Sequence, residues 1–226
     1  MSKRPGGSGD PVATAREVLE IEARAISDLI TRLDATFLRA LDALYTCKGR
    51  VVVTGLGKSG IICKKIAATL ASTGTPALFL HPAEAVHGDL GMIVQGDVVL
   101  AISNSGETAE LIQLLEQIKR LGVMLISMTG NTSSTLASQS DIHLHIGVAQ
   151  EACPMDLVPT ASTTASLALG DALAIALAEK KGFREEDFAA LHPAGRLGRK
   201  VLTVGKVMHR DEALPRVTPA ALIKDA

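Results

Sequence analysis

The chain has 226 residues, of which 47% are hydrophobic and only 2% aromatic, and its formal net charge is −1. That length suits one full-sized domain with a remnant beyond it, and the core must be packed from Ala, Val, Ile and Leu. So small a charge gives no long-range field for nucleic acid or anionic membrane, and so few aromatics exclude base-stacking platforms.

Residues 1–12 are rich in Gly and Ser and lack the apolar stretch of a secretory signal, so a disordered leader is expected. Over residues 14–44 apolar side chains recur at helical spacing with no Gly or Pro, which predicts one long helix or two joined end to end. Val51-Val52-Val53 then opens a series of five short apolar runs, followed by 77–80, 98–102, 124–127 and 142–146. Their lack of alternation fits strands buried on both faces. Helical stretches at 61–72, 109–121 and 133–138 lie between most of them, so the expected fold is α/β, a doubly wound five-stranded parallel sheet flanked by helices in three layers. Ligands then belong at the carboxyl ends of the strands. An Ala/Leu-rich helix over 163–182 and a shorter one over 185–191 follow. The first domain is expected to span 13–202, and residues 203–226 carry too little apolar surface to fold alone. No uninterrupted apolar run approaches the roughly 20 residues of a membrane span, and Cys47, Cys63 and Cys153 form no CxxC pair. A soluble cytoplasmic protein with reduced thiols is expected.

Gly55-Leu56-Gly57-Lys58-Ser59-Gly60 matches GxGxxG between a strand and a helix. The acidic ribose anchor expected after the second strand is replaced by Leu80-His81-Pro82, and a Walker A loop fails because position 52 is Val. What survives is either an anion seat at a helix N-terminus, with Lys58 and Ser59, or a tight turn with a solvated lysine. After the third strand, Ser103-Asn104-Ser105-Gly106-Glu107-Thr108 places three hydroxyls before a helix. A cap needs one; three can surround a phosphate monoester. Similar clusters, Thr129-Gly130-Asn131-Thr132-Ser133-Ser134 and Thr160-Ala161-Ser162-Thr163-Thr164, favour a small phosphorylated, polyhydroxylated ligand over a dinucleotide.

Proton-moving candidates on these loops are Lys58, His81, His87, Glu110, Glu151 and His192. Glu110 is either catalytic or a carboxylate favourable to its helix dipole. Glu151 follows the fifth strand, where apolar neighbours are expected to raise its pKa toward a useful base. His143 and His145 alternate on one strand face without a third metal ligand, and are taken as structural.

The glycine loop after the first strand, Ser103 to Thr108, and Thr160 to Thr164 together resemble the sugar isomerase (SIS) domain. Residues 81–91, 159–164 and 188–198 are similar to the arabinose-5-phosphate isomerase family within it, over about residues 13–202. The resemblance implies conversion of D-ribulose 5-phosphate to D-arabinose 5-phosphate through a cis-enediolate, the first step toward Kdo, an acid sugar of lipopolysaccharide. It implies catalytic relevance for Lys58, Glu110, Glu151 and His192, and substrate contact for Gly74, Thr75 and His87. Ser59, Ser103, Ser105 and Thr108 would hold the phosphate. No cofactor is required, although His81 can bind zinc. The expected partners are a sugar phosphate and CMP-Kdo as feedback ligand, with neither nucleic acid nor membrane. A homotetramer is expected, with His87 or His192 serving a neighbour's site. Residues 203–226 resemble the start of a CBS module. The rival reading is a non-catalytic SIS module that binds a sugar phosphate as a regulatory signal.

Overall fold

The computed structural model describes residues 10–192 together with Met208 and Leu222. The resemblance motif at 193–198 and the expected CBS start lie outside the described residues, those two positions apart. Two compact units form, Met1–Phe183 and Arg184–Ala226. The last described helix falls in the second unit.

The N-terminal helical pattern resolves into two helices, α1 (Pro11–Ile30) and α2 (Ala35–Thr46). Asp34 makes the break: its carboxylate accepts the Thr36 N–H at 2.7 Å and so caps α2. Asp10 accepts the Val12 N–H at 2.9 Å and caps α1, with Pro11 at the first helical position, where no N–H is needed. The sheet comprises β1 (Val51–Thr54), β2 (Ala77–Leu80), β3 (Val98–Ser103), β4 (Met124–Thr129) and β5 (Ile142–His145), all parallel in the order β2-β1-β3-β4-β5. The interleaved helices are α3 (Gly57–Ser72), α4 (Pro82–Ala85), α5 (Ala109–Leu121) and α6 (Thr135–Gln139), with a 3-10 turn at Asp89–Met92.

Alternate strand residues feed two cores. Val51, Val53, Leu100, Ile102 and Met128 pack with α1, α2, α3 and α7 (Ala161–Lys180), while Val52, Val99, Ala101 and Leu125 pack with α5 and α6. Burial on both faces explains the unbroken apolar runs. By length and composition α7 could cross a membrane, but 56% of it is buried inside the fold and its Asp171 pairs with Lys65 of α3. It is a core helix.

The end of α7 is fixed by a Schellman motif, in which Gly182 at φ +67° lets its N–H reach the Glu179 carbonyl and the Phe183 N–H reach the Ala178 carbonyl, both at 2.9 Å. Phe183 is thereby folded back against Gly74, where any Cβ would overlap the phenyl ring. The second unit contains α8 (Glu185–Leu191), whose first N-terminal N–H, that of Arg184, is accepted by Asp187 at 2.9 Å.

Candidate active site

In this strand order the chain leaves β1 for one face and β3 for the other, so a crevice opens at their carboxyl ends. The loops after these two adjacent strands carry the two expected anion-binding motifs. In the first, Gly60 packs on the Gly55 carbonyl so closely that a Cβ could not fit. Packing of α3 on β1 therefore explains the glycine spacing without a dinucleotide. Lys58 is exposed and Ser59 half-buried in the first turn of α3, whose N-cap, Leu56, contributes no side-chain hydrogen bond. The first N–H groups of α3 are left for a ligand.

In the second loop Ser103 is buried, and its hydroxyl lies 2.8 Å from that of Thr108 and 3.4 Å from that of Ser105. Ser103 Oγ accepts the Gly106 N–H at 3.0 Å, which leaves its hydrogen to donate. Thr108 occupies the N-cap of α5 yet makes no capping bond. The three hydroxyls therefore form one patch over an uncapped helix N-terminus, which favours an anion. Glu110 is half-exposed in the same first turn. The similar cluster after β4 behaves differently: Thr129 Oγ1 bonds the Asn131 carbonyl and His143, and Ser134 bonds the Asn131 carbonyl while capping α6. Those hydroxyls are engaged internally and hold the Ser103 loop in place, with help from the Gly130 N–H to the Asn104 carbonyl and the Thr135 N–H to Glu107. Asn104, Glu107 and Ser134 are thus supporting residues absent from the sequence-based set.

The third wall comes from α7, which runs alongside α3 in the same direction. Gly170 meets Ile66 near the middle of both helices, and Lys181 donates to the buried Thr75 at 2.9 Å beyond their C-terminal ends. Their N-termini consequently share the carboxyl edge of the sheet. Glu151 sits there, and its Oε2 accepts the Thr160 N–H at 2.7 Å, the Thr160 hydroxyl at 2.9 Å and the Ser162 N–H at 3.2 Å. Burial pushes the Glu151 pKa up, but the Ser162 and Thr160 groups outweigh it and the net shift is downward. The Ser162 hydroxyl stands near enough to favour the carboxylate without making a hydrogen bond of its own. The expected rise in this pKa is therefore corrected: the apolar neighbours matter less than donors located nine and eleven residues later.

Other expected residues are more dispersed. Gly74 and Thr75 precede β2, at the opposite edge of a sheet whose four-residue strands are about 13 Å long. Within one chain they cannot touch a substrate seated at the carboxyl ends. Their geometry has a local cause, with φ +83° at Gly74 and the Lys181 bond at Thr75. His81 and His87 follow β2 on the correct edge; His87 is exposed, and His81 Nδ1 is buried without a partner. Among the described residues no three His, Cys, Asp or Glu side chains gather to hold a metal, so the zinc expected at His81 finds no ligand set among them. His143 and His145 are structural, bonded to Thr129 Oγ1 at 2.9 Å and the Gly130 carbonyl at 3.1 Å. In the second unit, His192 bonds the Phe188 carbonyl through Nδ1 at 2.9 Å and stacks on the Phe188 ring. A carbonyl only accepts, so Nδ1 carries a proton.

Comparison with known proteins agrees with this geometry. Residues 44–176 match the SIS domain family. The chain is 57% identical over 209 residues to arabinose 5-phosphate isomerase KdsD of Pseudomonas aeruginosa, covering 92% of this chain and 64% of that protein. It is 51% identical over 212 residues to the Escherichia coli K12 enzyme of the same name, covering 93% and 65%. The chain thus spans just under two thirds of the length of these relatives. The solved structure of E. coli CFT073 c3406 in complex with A5P superposes with a TM-score of 0.79 at 44% identity, over 83% of this chain and all of that one. The family model covers more than half of the chain: the chain belongs to the SIS domain family.

Proposed function

We propose that the protein is an arabinose-5-phosphate isomerase, interconverting D-ribulose 5-phosphate and D-arabinose 5-phosphate. The observation that carries this reading is the meeting of three helix N-termini at one strand edge, one bearing the Ser103, Ser105 and Thr108 hydroxyls, one bearing Lys58 and Ser59, and one holding the ionised Glu151. The name of the KdsD relatives and the A5P complex of the structural neighbour support it.

In this mechanism the hydroxyl patch and Ser59 anchor the phosphate. Glu151 takes a proton from C1 of the ketose, and negative charge gathers on the C2 oxygen, where Lys58 stabilises it. Glu151 then returns the proton to C2, while the C1 hydroxyl loses its proton and the C2 oxygen gains one. His192 serves that oxygen transfer or the opening of a cyclic sugar, and Glu110 lies beside the phosphate seat as a second carboxylate. Gly74 and Thr75 reach substrate only across a subunit boundary in this reading, His87 or His192 serves a neighbour's site, and a zinc ion at His81 would need ligands beyond the described residues. The reaction would open Kdo synthesis in the cytoplasm, in a homotetramer with CMP-Kdo as feedback ligand. Residues 203–226 would begin a CBS module.

Incubation with ribulose 5-phosphate in D2O, followed by NMR, tests the reading. Arabinose 5-phosphate carrying deuterium at C2 is expected, and Glu151→Gln should abolish both turnover and exchange while leaving binding nearly intact. A protein inert toward every pentose phosphate is not this enzyme; tight binding without turnover would point instead to a regulatory SIS module.

A further inference from the structure

The start of α7 inverts the usual N-cap arrangement. A threonine at that position ordinarily accepts an N–H of its own first turn through its hydroxyl, and Thr160 does not. Glu151 takes over, receiving the Thr160 and Ser162 N–H groups on Oε2, and the Thr160 hydroxyl joins them on the same oxygen. The direction of that hydroxyl is fixed from both sides. Thr160 Oγ1 accepts the Ala152 N–H at 2.8 Å, and a carboxylate has no hydrogen to give, so the hydroxyl hydrogen must be turned onto Glu151. All three donors fall on Oε2. Among the described residues, Oε1 receives none.

We infer that Thr160 is a positioning residue for the isomerisation, its hydroxyl clamping Glu151 Oε2 so that Oε1 is the oxygen that removes and returns the carbon proton. The inference rests on the reading of Glu151 as the base. A carboxylate held by one oxygen to a helix N-terminus cannot swing about its last torsion without losing three hydrogen bonds, so its second oxygen keeps one direction. The clamp also holds the base ionised, ready to accept a proton. On its own loop the charged and titratable groups are Cys153 and Asp156, the latter accepting the Glu151 N–H at 2.8 Å, while Arg24 and Asp28 of α1 line a cavity with the preceding residues Val148, Ala149 and Gln150. None of them donates to Oε2, whereas Thr160 does so twice.

Thr160→Val keeps the side-chain shape and the backbone N–H while removing the hydroxyl donor. The expected result is a kcat reduced about 10- to 100-fold, the size of effect a misdirected catalytic group gives, with KM little changed. The acid limb of kcat/KM should also move to higher pH, because the ionised form of Glu151 loses a donor. Thr160→Ser should restore both. Thermal unfolding and arabinose 5-phosphate binding of the same samples identify a misfolded variant, in which case Thr160→Ala is read instead. An unmoved acid limb with unchanged kcat, or a loss that serine does not restore, overturns the inference. Glu151→Gln separates the two levels: if it still exchanges deuterium, the base reading fails. If it is inactive while Thr160→Val behaves as wild type, only the role of Thr160 is lost.

Discussion

Glu151 owes its titration to groups far from it in sequence, and this has a consequence for stability. Its pKa is lowered in the folded chain because Thr160 and Ser162 favour the carboxylate more than burial opposes it. A folded-state pKa below the unfolded one stabilises the protein above the ordinary glutamate value, about 4.3, and that contribution is lost as pH falls through the lower native value. Glu151→Gln cannot titrate. Urea unfolding should therefore show wild type more stable than the variant near pH 7, with the gap closing as pH falls below the ordinary glutamate value; a constant gap would mean the clamp does not discriminate protonation states. The Ser103 to Thr108 patch was legible in the sequence because its partners lie within five residues of one another. The state of Glu151 was not, since its donors lie across a loop. Nor could spacing reveal that Gly74 and Thr75 occupy the other edge of the sheet, a matter of strand direction and not of composition.

At the scale of elements, the strands were readable from their β-branched runs, and α7 from its Ala/Leu composition and Gly182. Its pairing with α3 was hidden, because a helix apolar on most sides gives no sign of which neighbour it meets. The register is set at Gly170, where a Cβ would overlap the Ile66 side chain, so only glycine lets the helices approach this closely. That approach holds the N-termini of α3 and α7, which carry Lys58 and the Glu151 clamp, at the same edge of the sheet. Gly170→Val should cost about 1–3 kcal/mol through overpacking, measured by urea denaturation, and should lower kcat by parting the two N-termini. Adding Ile66→Ala frees the space, and the pair should recover part of both losses, a coupling that a double-mutant cycle measures. Additive losses would show that the contact does not set the helix spacing.

For the whole molecule the informative surface is α1. One side of the helix joins the core through the buried Ala25 and Leu29, while Val12, Leu19, Ile26 and Ile30 stand 56%, 67%, 40% and 67% exposed. Single exposed hydrophobics are ordinary, but Val12, Leu19 and Ile26 repeat every seven residues and so share one stripe along about four turns of helix. A stripe of this kind suits a second copy of the same helix, because a two-fold axis lets one patch be its own complement. The proposed homotetramer would use it, and the placement of Gly74 and Thr75 away from the crevice gives such contacts a functional reason. Light scattering on the intact chain should report a four-subunit mass. Leu19→Glu with Ile26→Glu places like charges across the axis and should yield smaller species of unchanged circular dichroism. If subunits complete one another's sites, the dissociated variant should lose kcat although every residue of the crevice is untouched. A double variant that remains tetrameric assigns assembly to another face, whereas a dissociated variant with full activity confines the site to a single chain and removes Gly74 and Thr75 from it.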